Sequence, residues 1–192
     1  MENSFTLRIS SVRGERVAFL PKWAVAGPVL KGALFGDNSG KQKGFTMEYT
    51  QGQLGRVFVA RLEDGESIYT AVEEIARKEG LVAGVVLAVG GVRRGTVVTG
   101  PEHATGRVVP HYEEFDDARE LVGVGTLFPQ DGEPLLHFHA GIGRRDTALV
   151  GCPRGGMAVY LVLEVVILEL LGVQARRELD PAAGVHLLKI VQ

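Results

Sequence analysis

Cysteine is almost absent from these 192 residues. Cys152 stands alone, so no internal disulfide can staple the fold, and a reducing, cytoplasmic setting is expected. Net charge is nearly absent too, at −2 with a pI of about 6.2. The chain as a whole therefore has no positive field to draw it onto nucleic acid or an anionic membrane. Uninterrupted apolar runs of membrane length are missing. VAFLPKWAVAGPVLKGALFG is broken by Pro21, Lys22, Pro28 and Lys31, and MAVYLVLEVVILELLG carries Glu164 and Glu169 inside it. No membrane partner is expected. A G-x-S-x-G elbow is lacking, which leaves a hydrolase triad without an anchor. GGVRRG has neither the spacing nor the following lysine and helix of a phosphate loop, and reads as a bulge with two solvated arginines.

What is present is enough apolar sequence, 45% of residues, to bury one good-sized core. The 26 glycines are scattered without a period, as tight turns and bulges in a β-rich fold require. Charge is divided unevenly. Residues 1–46 hold seven basic and three acidic side chains, a formal +4, against −6 for the rest. With the polar, glycine-rich GDNSGKQKG near its end, this segment reads as a basic arm, disordered or outside the native domain, ahead of a single domain at 47–192.

Inside that domain RVFVARL alternates as a half-buried strand does. EDGESIYTAVEEIARKEG predicts one amphipathic helix. Asp64 is its cap, Ile68, Ala71, Val72, Ile75 and Ala76 are its core stripe, and Gly80 is its left-handed stop. The β-branched segment Val82 to Val98 predicts a long strand bent at Gly90-Gly91. LVGVGTLF and PLLHFHAGIG predict a hairpin through Asp131-Gly132. The run from Met157 to Gly172 favours a central strand, although periodicity alone leaves a buried helix open. Asp180-Pro181 to Gly184 is a turn into a last strand, and the acidic YEEFDDARE reads as a solvated loop. The expected class is α+β: a mostly antiparallel sheet with one principal amphipathic helix.

One stretch carries chemistry. In PLLHFHAGIG, His137 and His139 are two residues apart on a strand, so both imidazoles project from one face about 7 Å apart along the chain. Two imidazole nitrogens can seat zinc or a similar ion, but a third donor is needed. Cys152, His103, His111, His186 and Glu133 are the candidates, and the bland alternative is a polar face or a pair of hydrogen-bonded core histidines. Cys152 lies in LVGCPRGG beside Arg154, which favours its thiolate; read alone, it is a small half-buried thiol.

GRVFVARLEDGESIYTAVEEIARKEGL, VVLAVGGVRRGTVV, LVGVGTLFPQDGEPLLHFHAGIGRRD, LVGCPRGG and VYLVLEVVILEL, in this order, resemble the plants-and-prokaryotes conserved (PPC, or DUF296) domain, prokaryotic type, over about residues 53–191. The resemblance implies an antiparallel sheet with a principal helix and minor flanking helices, a homotrimer, and a metal site near the H-x-H strand, here His137 and His139. Many prokaryotic members carry a third histidine after a pair of glycines. This chain reads Gly151-Cys152-Pro153 there, so either Cys152 completes a His2Cys site or the metal is absent. The R-G-R-P core of the plant AT-hook is missing, and the plant partner-contact hexapeptide is not recognisable in EEFDDARELVG.

The functional expectation is a cytoplasmic homotrimer. Its His137, His139 and Cys152 bind a divalent metal, zinc by choice, or a small ligand, in a regulatory or sensory role. One alternative is a DNA-binding, nucleoid-associated protein acting through the basic arm. Another is a zinc-dependent enzyme with Glu133 or Glu164 as base, although the sequence leans away from an enzyme.

Overall fold

A computed structural model describes residues 47–154 and 156–191. The basic arm expected over residues 1–46 lies outside the described residues. Nine strands and one helix follow in the order β1 (Gln53–Glu63), α1 (Ile68–Glu79), β2 (Gly84–Pro101), β3 (Pro110–Phe115), β4 (Arg119–Gln130), β5 (Glu133–Arg144), β6 (Thr147–Pro153), β7 (Ala158–Leu171), β8 (Ala175–Asp180) and β9 (Val185–Ile190). Neighbours run β1-β7-β2-β6-β5-β4-β8-β9, with β3 beside β2 and a further β2–β4 ladder. Every pairing is antiparallel except the single parallel bridge between Gln130 of β4 and Arg177 of β8.

The long β2 organises the sheet. Its first half pairs with β7 and β4, and Val97 and Val98 further on pair with β6. Since β4, β5 and β6 are themselves consecutive neighbours, the sheet curls until β6 meets the far end of β2. The bend falls at Gly90-Gly91, where the register with β7 shifts, as the sequence predicts. Gly90 has φ 147°, and a Cβ there would stand 2.4 Å from the Val162 carbonyl oxygen, so only glycine lets the strands close at this point.

The inner face of the curl holds the core. Val86, Leu127, Phe138, Ile142, Leu163, Val165 and Ile167 are fully buried there, and α1 covers them with Ile68, Val72 and Ala76. Burying Ile68 and Val72 contributes about 1.5–3 kcal/mol each, which holds a 12-residue helix that would be marginal alone.

The helix cap differs from expectation. Ser67 is the cap residue, and Asp64 instead accepts hydrogen bonds from the Leu161 backbone N–H (3.2 Å) and from Arg93 (2.8 Å). Leu161 sits at φ 59° in the β7 bulge opposite Gly90-Gly91, so Asp64 ties down that irregular turn of chain. Gly80 ends the helix at φ 66°, as predicted. The minor helices implied by the resemblance are not found among the described residues, where α1 is the one α-helix. YEEF of the acidic run is strand rather than loop, because it forms the end of β3 against β2. Met157 to Gly172 is strand β7 and not a helix, with β1 and β2 on its two sides.

Candidate functional site

β5 shows why the two histidines share a face. Its burial alternates, with Leu136, Phe138, Ala140 and Ile142 inward and His137 and His139 outward. Phe138 is the lock. Its ring lies over Gly123 and Gly125 of β4, where added Cβ atoms would come within 2.3 Å and 2.9 Å of it. A one-residue slip would drive a histidine into that glycine-floored space and expose the phenyl ring, so the register is fixed.

Outside, the imidazoles of His137 and His139 stack at a shallow angle with their Nε2 atoms brought together. Their Nε2 atoms are 3.0 Å apart, with ring centroids 4.9 Å apart and planes inclined by 27°. At that distance one Nε2–H donates to the lone pair of the other Nε2, so the rings cannot both be imidazolium. Two nitrogens bound tetrahedrally to zinc at about 2.0–2.1 Å would stand about 3.3 Å apart, so the observed pair is nearly a preformed two-donor seat.

Three further groups surround it. Thr126 of β4 is directly across from His137. Arg177, from β8, reaches over the end of β4 and its Nη2 donates to Thr126 Oγ1 at 2.9 Å. Arg177 is only 7% exposed, its Nε has no hydrogen-bond partner, and burial lowers its pKa from the usual range. His137 is pushed down to about 4, first by loss of water around it, then by the charge of Arg177, by His139 and by Arg154. At neutral pH its ring is therefore uncharged, with a lone pair to offer.

Cys152 is buried, and its Sγ lies 3.8 Å from the Pro153 carbonyl oxygen. The β5–β6 ladder ends at Ala140–Gly151, one step before Cys152 would stand across from His139, and Cys152 pairs with Val98 of β2. Tyr69 of α1 holds this corner, its hydroxyl donating to the Pro153 carbonyl; burial and the Cys152 thiol push the phenol pKa up. Among the described residues no three His, Cys, Asp or Glu side chains are grouped closely enough to hold a metal. None of the other third-donor candidates is grouped with the two histidines among the described residues. His111 lies between Glu102 (2.8 Å) and Glu113 (3.2 Å) on the β2–β3 hairpin, Glu133 pairs with Arg77 at 3.1 Å, and His186 is on β9. Glu164 is on β7, separated from β5 by β2 and β4 on this face, about 14 Å at the usual strand spacing. An open recess of about 600 Å³ lined by Arg119, Arg144, Arg145 and Tyr160 lies at the Arg144 end of β5, away from the histidines.

Sequence reasoning missed Arg177 and Thr126. Nothing in QARRELD marks either arginine, and only the fold-back of β8 onto β4 buries Arg177.

The same outer face is rich in exposed apolar side chains: across β1, β7, β2 and β4 it carries Val57, Val59, Leu87, Val89, Val122 and Val124, between 39% and 78% exposed, with Glu164 of β7 and Arg61 of β1 in the row of Val89 and Val122. An exposed, largely apolar sheet face of this kind marks an interaction surface.

Fold and site together define a small α+β protein whose curled antiparallel sheet buries one face under a helix and presents an imidazole pair at the edge of an uncovered apolar face. The chain belongs to the Plants and Prokaryotes Conserved (PCC) domain family, whose profile matches residues 49–171. Among solved structures it is similar to a metal-containing protein from Archaeoglobus fulgidus, at 22% identity and TM-score 0.64, covering 76% of this chain and 100% of that one. It is similar also to a plant- and prokaryote-conserved (PPC) protein from Pyrococcus horikoshii, at 21% identity and TM-score 0.63, covering 76% and 99%. A candidate DNA-binding protein from Ralstonia eutropha JMP134 matches at 16% identity and TM-score 0.58, covering 69% and 90%. Among curated proteins there is no match. Likeness at these identities establishes the fold. Among the described residues no helix is long and apolar enough to cross a membrane.

Proposed function

We propose that this chain is a homotrimeric, cytoplasmic PPC-domain protein that binds a divalent metal, zinc by preference, or a small ligand at its H-x-H strand, in a regulatory or sensory role. The observation that carries the reading is the Nε2–Nε2 distance of 3.0 Å between His137 and His139, close to what two ligands of one tetrahedral ion require. Zinc bound there would act as a Lewis acid or hold a ligand in its open positions. The chain's own part is to present two imidazoles on a strand that Phe138 cannot let rotate, with His137 neutral at physiological pH. Cys152 joins as a third ligand only through movement of the β6 end that Tyr69 now holds. The trimer is supported by the exposed valine and leucine face, which a second copy would cover.

Metal analysis tests the reading. Purified wild-type protein is expected to carry zinc or to take it up, and His137→Ala/His139→Ala is expected to lose it; equal content in both proteins would remove this pair as the seat. The enzyme alternative is weakened because Glu133 is paired with Arg77 and Glu164 stands three strands away from the histidines. DNA contact through the basic arm draws support from the +4 charge of residues 1–46 and from relatives called candidate DNA-binding proteins. It predicts salt-dependent DNA binding by the full chain that is lost when the chain starts at Met47.

A further inference from the structure

Among the described residues Arg177 has no counter-charge: it is 93% buried, its one side-chain partner there is the neutral hydroxyl of Thr126, and its Nε is orphaned. A buried guanidinium without a carboxylate is costly, and native structures meet that cost with a partner or a ligand. Among the described residues no carboxylate pairs with it. Thr126, which holds the guanidinium, stands directly across from His137, so an anion lodged beside the histidines would meet the unpaired charge of Arg177.

The donor chemistry fits the same occupant. Thr126 accepts from Arg177 and so keeps its own O–H free to donate outward. One imidazole N–H is spent on the other ring and is released if the rings part. Guanidinium, hydroxyl and imidazole N–H are donors that recognise carboxylate and phosphate oxygens, and the planar arginine fork is the element with geometric preference for them.

We propose that Arg177, Thr126 and the His137–His139 pair form one site for a small oxyanion, a carboxylate or a phosphate group, which supplies the charge that Arg177 lacks. The proposal rests on the reading of the H-x-H strand as a binding site and names the class of ligand it takes, either alone or as co-ligand of a bound metal. Arg177 comes from β8, beyond the residues 49–171 that match the family profile, and is placed by the single bridge between Gln130 and Arg177.

The test uses the full chain labelled with 15N, titrated with inorganic phosphate and, separately, acetate against chloride at matched ionic strength, with and without zinc. Guanidinium Nε and imidazole resonances are followed by NMR and affinity by calorimetry. Saturable binding of one of these anions is expected, moving the Arg177 Nε–H and imidazole signals together; which anion binds identifies the source. Arg177→Gln is expected to weaken it at least tenfold and Arg177→Lys by less, with far-UV circular dichroism and oligomer mass unchanged. If Arg177→Gln does not fold, Thr126→Val carries the test, with a smaller loss of affinity expected. Zinc binding that depends on the histidines while neither anion moves Arg177 would overturn the oxyanion and leave the metal reading standing. Loss of both zinc and anion binding overturns both. Arg177→Gln that changes the oligomer mass, with no anion binding in wild type, would assign the counter-charge to a second copy and overturn the proposal.

Discussion

The fixed register of β5 rests on the absence of side chains beneath Phe138, and Gly123→Ala measures it. A methyl carbon at residue 123 would stand 2.3 Å from Phe138 Cζ and 2.9 Å from the His139 carbonyl oxygen, both closer than a tolerable contact allows. The carbonyl belongs to the β4–β5 ladder and cannot retreat without breaking it, while Phe138 is fully buried with no space to turn into. Overpacking of this kind costs about 1–3 kcal/mol, and the two fixed neighbours place Gly123→Ala near the upper end, at about 3 kcal/mol. Phe138→Leu alone removes ring volume and is expected to cost about 1–2 kcal/mol. Together the two changes relieve one another, so the double variant should cost at least about 1 kcal/mol less than the sum of the single ones. Urea denaturation followed by far-UV circular dichroism, at one protomer concentration, reads all four proteins. Gly123→Ala within about 0.5 kcal/mol of wild type, or strict additivity with Phe138→Leu, would refute the argument that glycine here makes room for the ring.

Three further outcomes are expected. Val124→Glu sets a charge in the exposed apolar face between β2 and β5, and light scattering should then give the 20.6 kDa mass of a single chain where wild type gives a larger one; an unchanged mass would show that assembly does not use this face. Glu169 accepts from Arg56 Nε and Nη2, both at 2.8 Å, and from the Arg56 backbone N–H at 2.9 Å, which hold its pKa to about 2 against a usual 4.5. Its contribution is complete above the usual value and lost as pH falls from there towards 2, so Glu169→Gln should flatten the acid limb of a stability–pH curve, and an unaltered limb would assign it to other groups. His111 is raised above its usual value by Glu102 and then Glu113, so the support it gives the β2–β3 hairpin is present below pH 6.5 and lost as pH rises through the raised value. An NMR titration in which His111 takes up its proton at or below the usual value would contradict that ion pair.

Much of the framework was legible because its signals are local. The alternation of RVFVARL, the stripe from Ile68 to Ala76 with Gly80 as its stop, and the Asp131-Gly132 turn each depend on neighbours in sequence. That turn does carry two positive φ values, 54° and 88°. Asp64 misled for an equally physical reason. A carboxylate ahead of a helix looks like a cap, but here Arg93 and the strained Leu161 bulge lie nearer to it in space. The place of Cys152 relative to the histidines was not local either: the β5–β6 ladder ends at Ala140–Gly151, and Cys152 pairs with Val98 of β2.

By itself, the sequence determined that PLLHFHAGIG forms a strand and that His137 and His139 share one face of it, opposite to Phe138, since a period of two leaves no other arrangement. Only the tertiary structure decided what surrounds them. The curl of the sheet, the fold-back of β8 that buries Arg177 beside Thr126, and the expanse of exposed valine are long-range events. Each depends on which strands become neighbours, and no local pattern of residues encodes that choice.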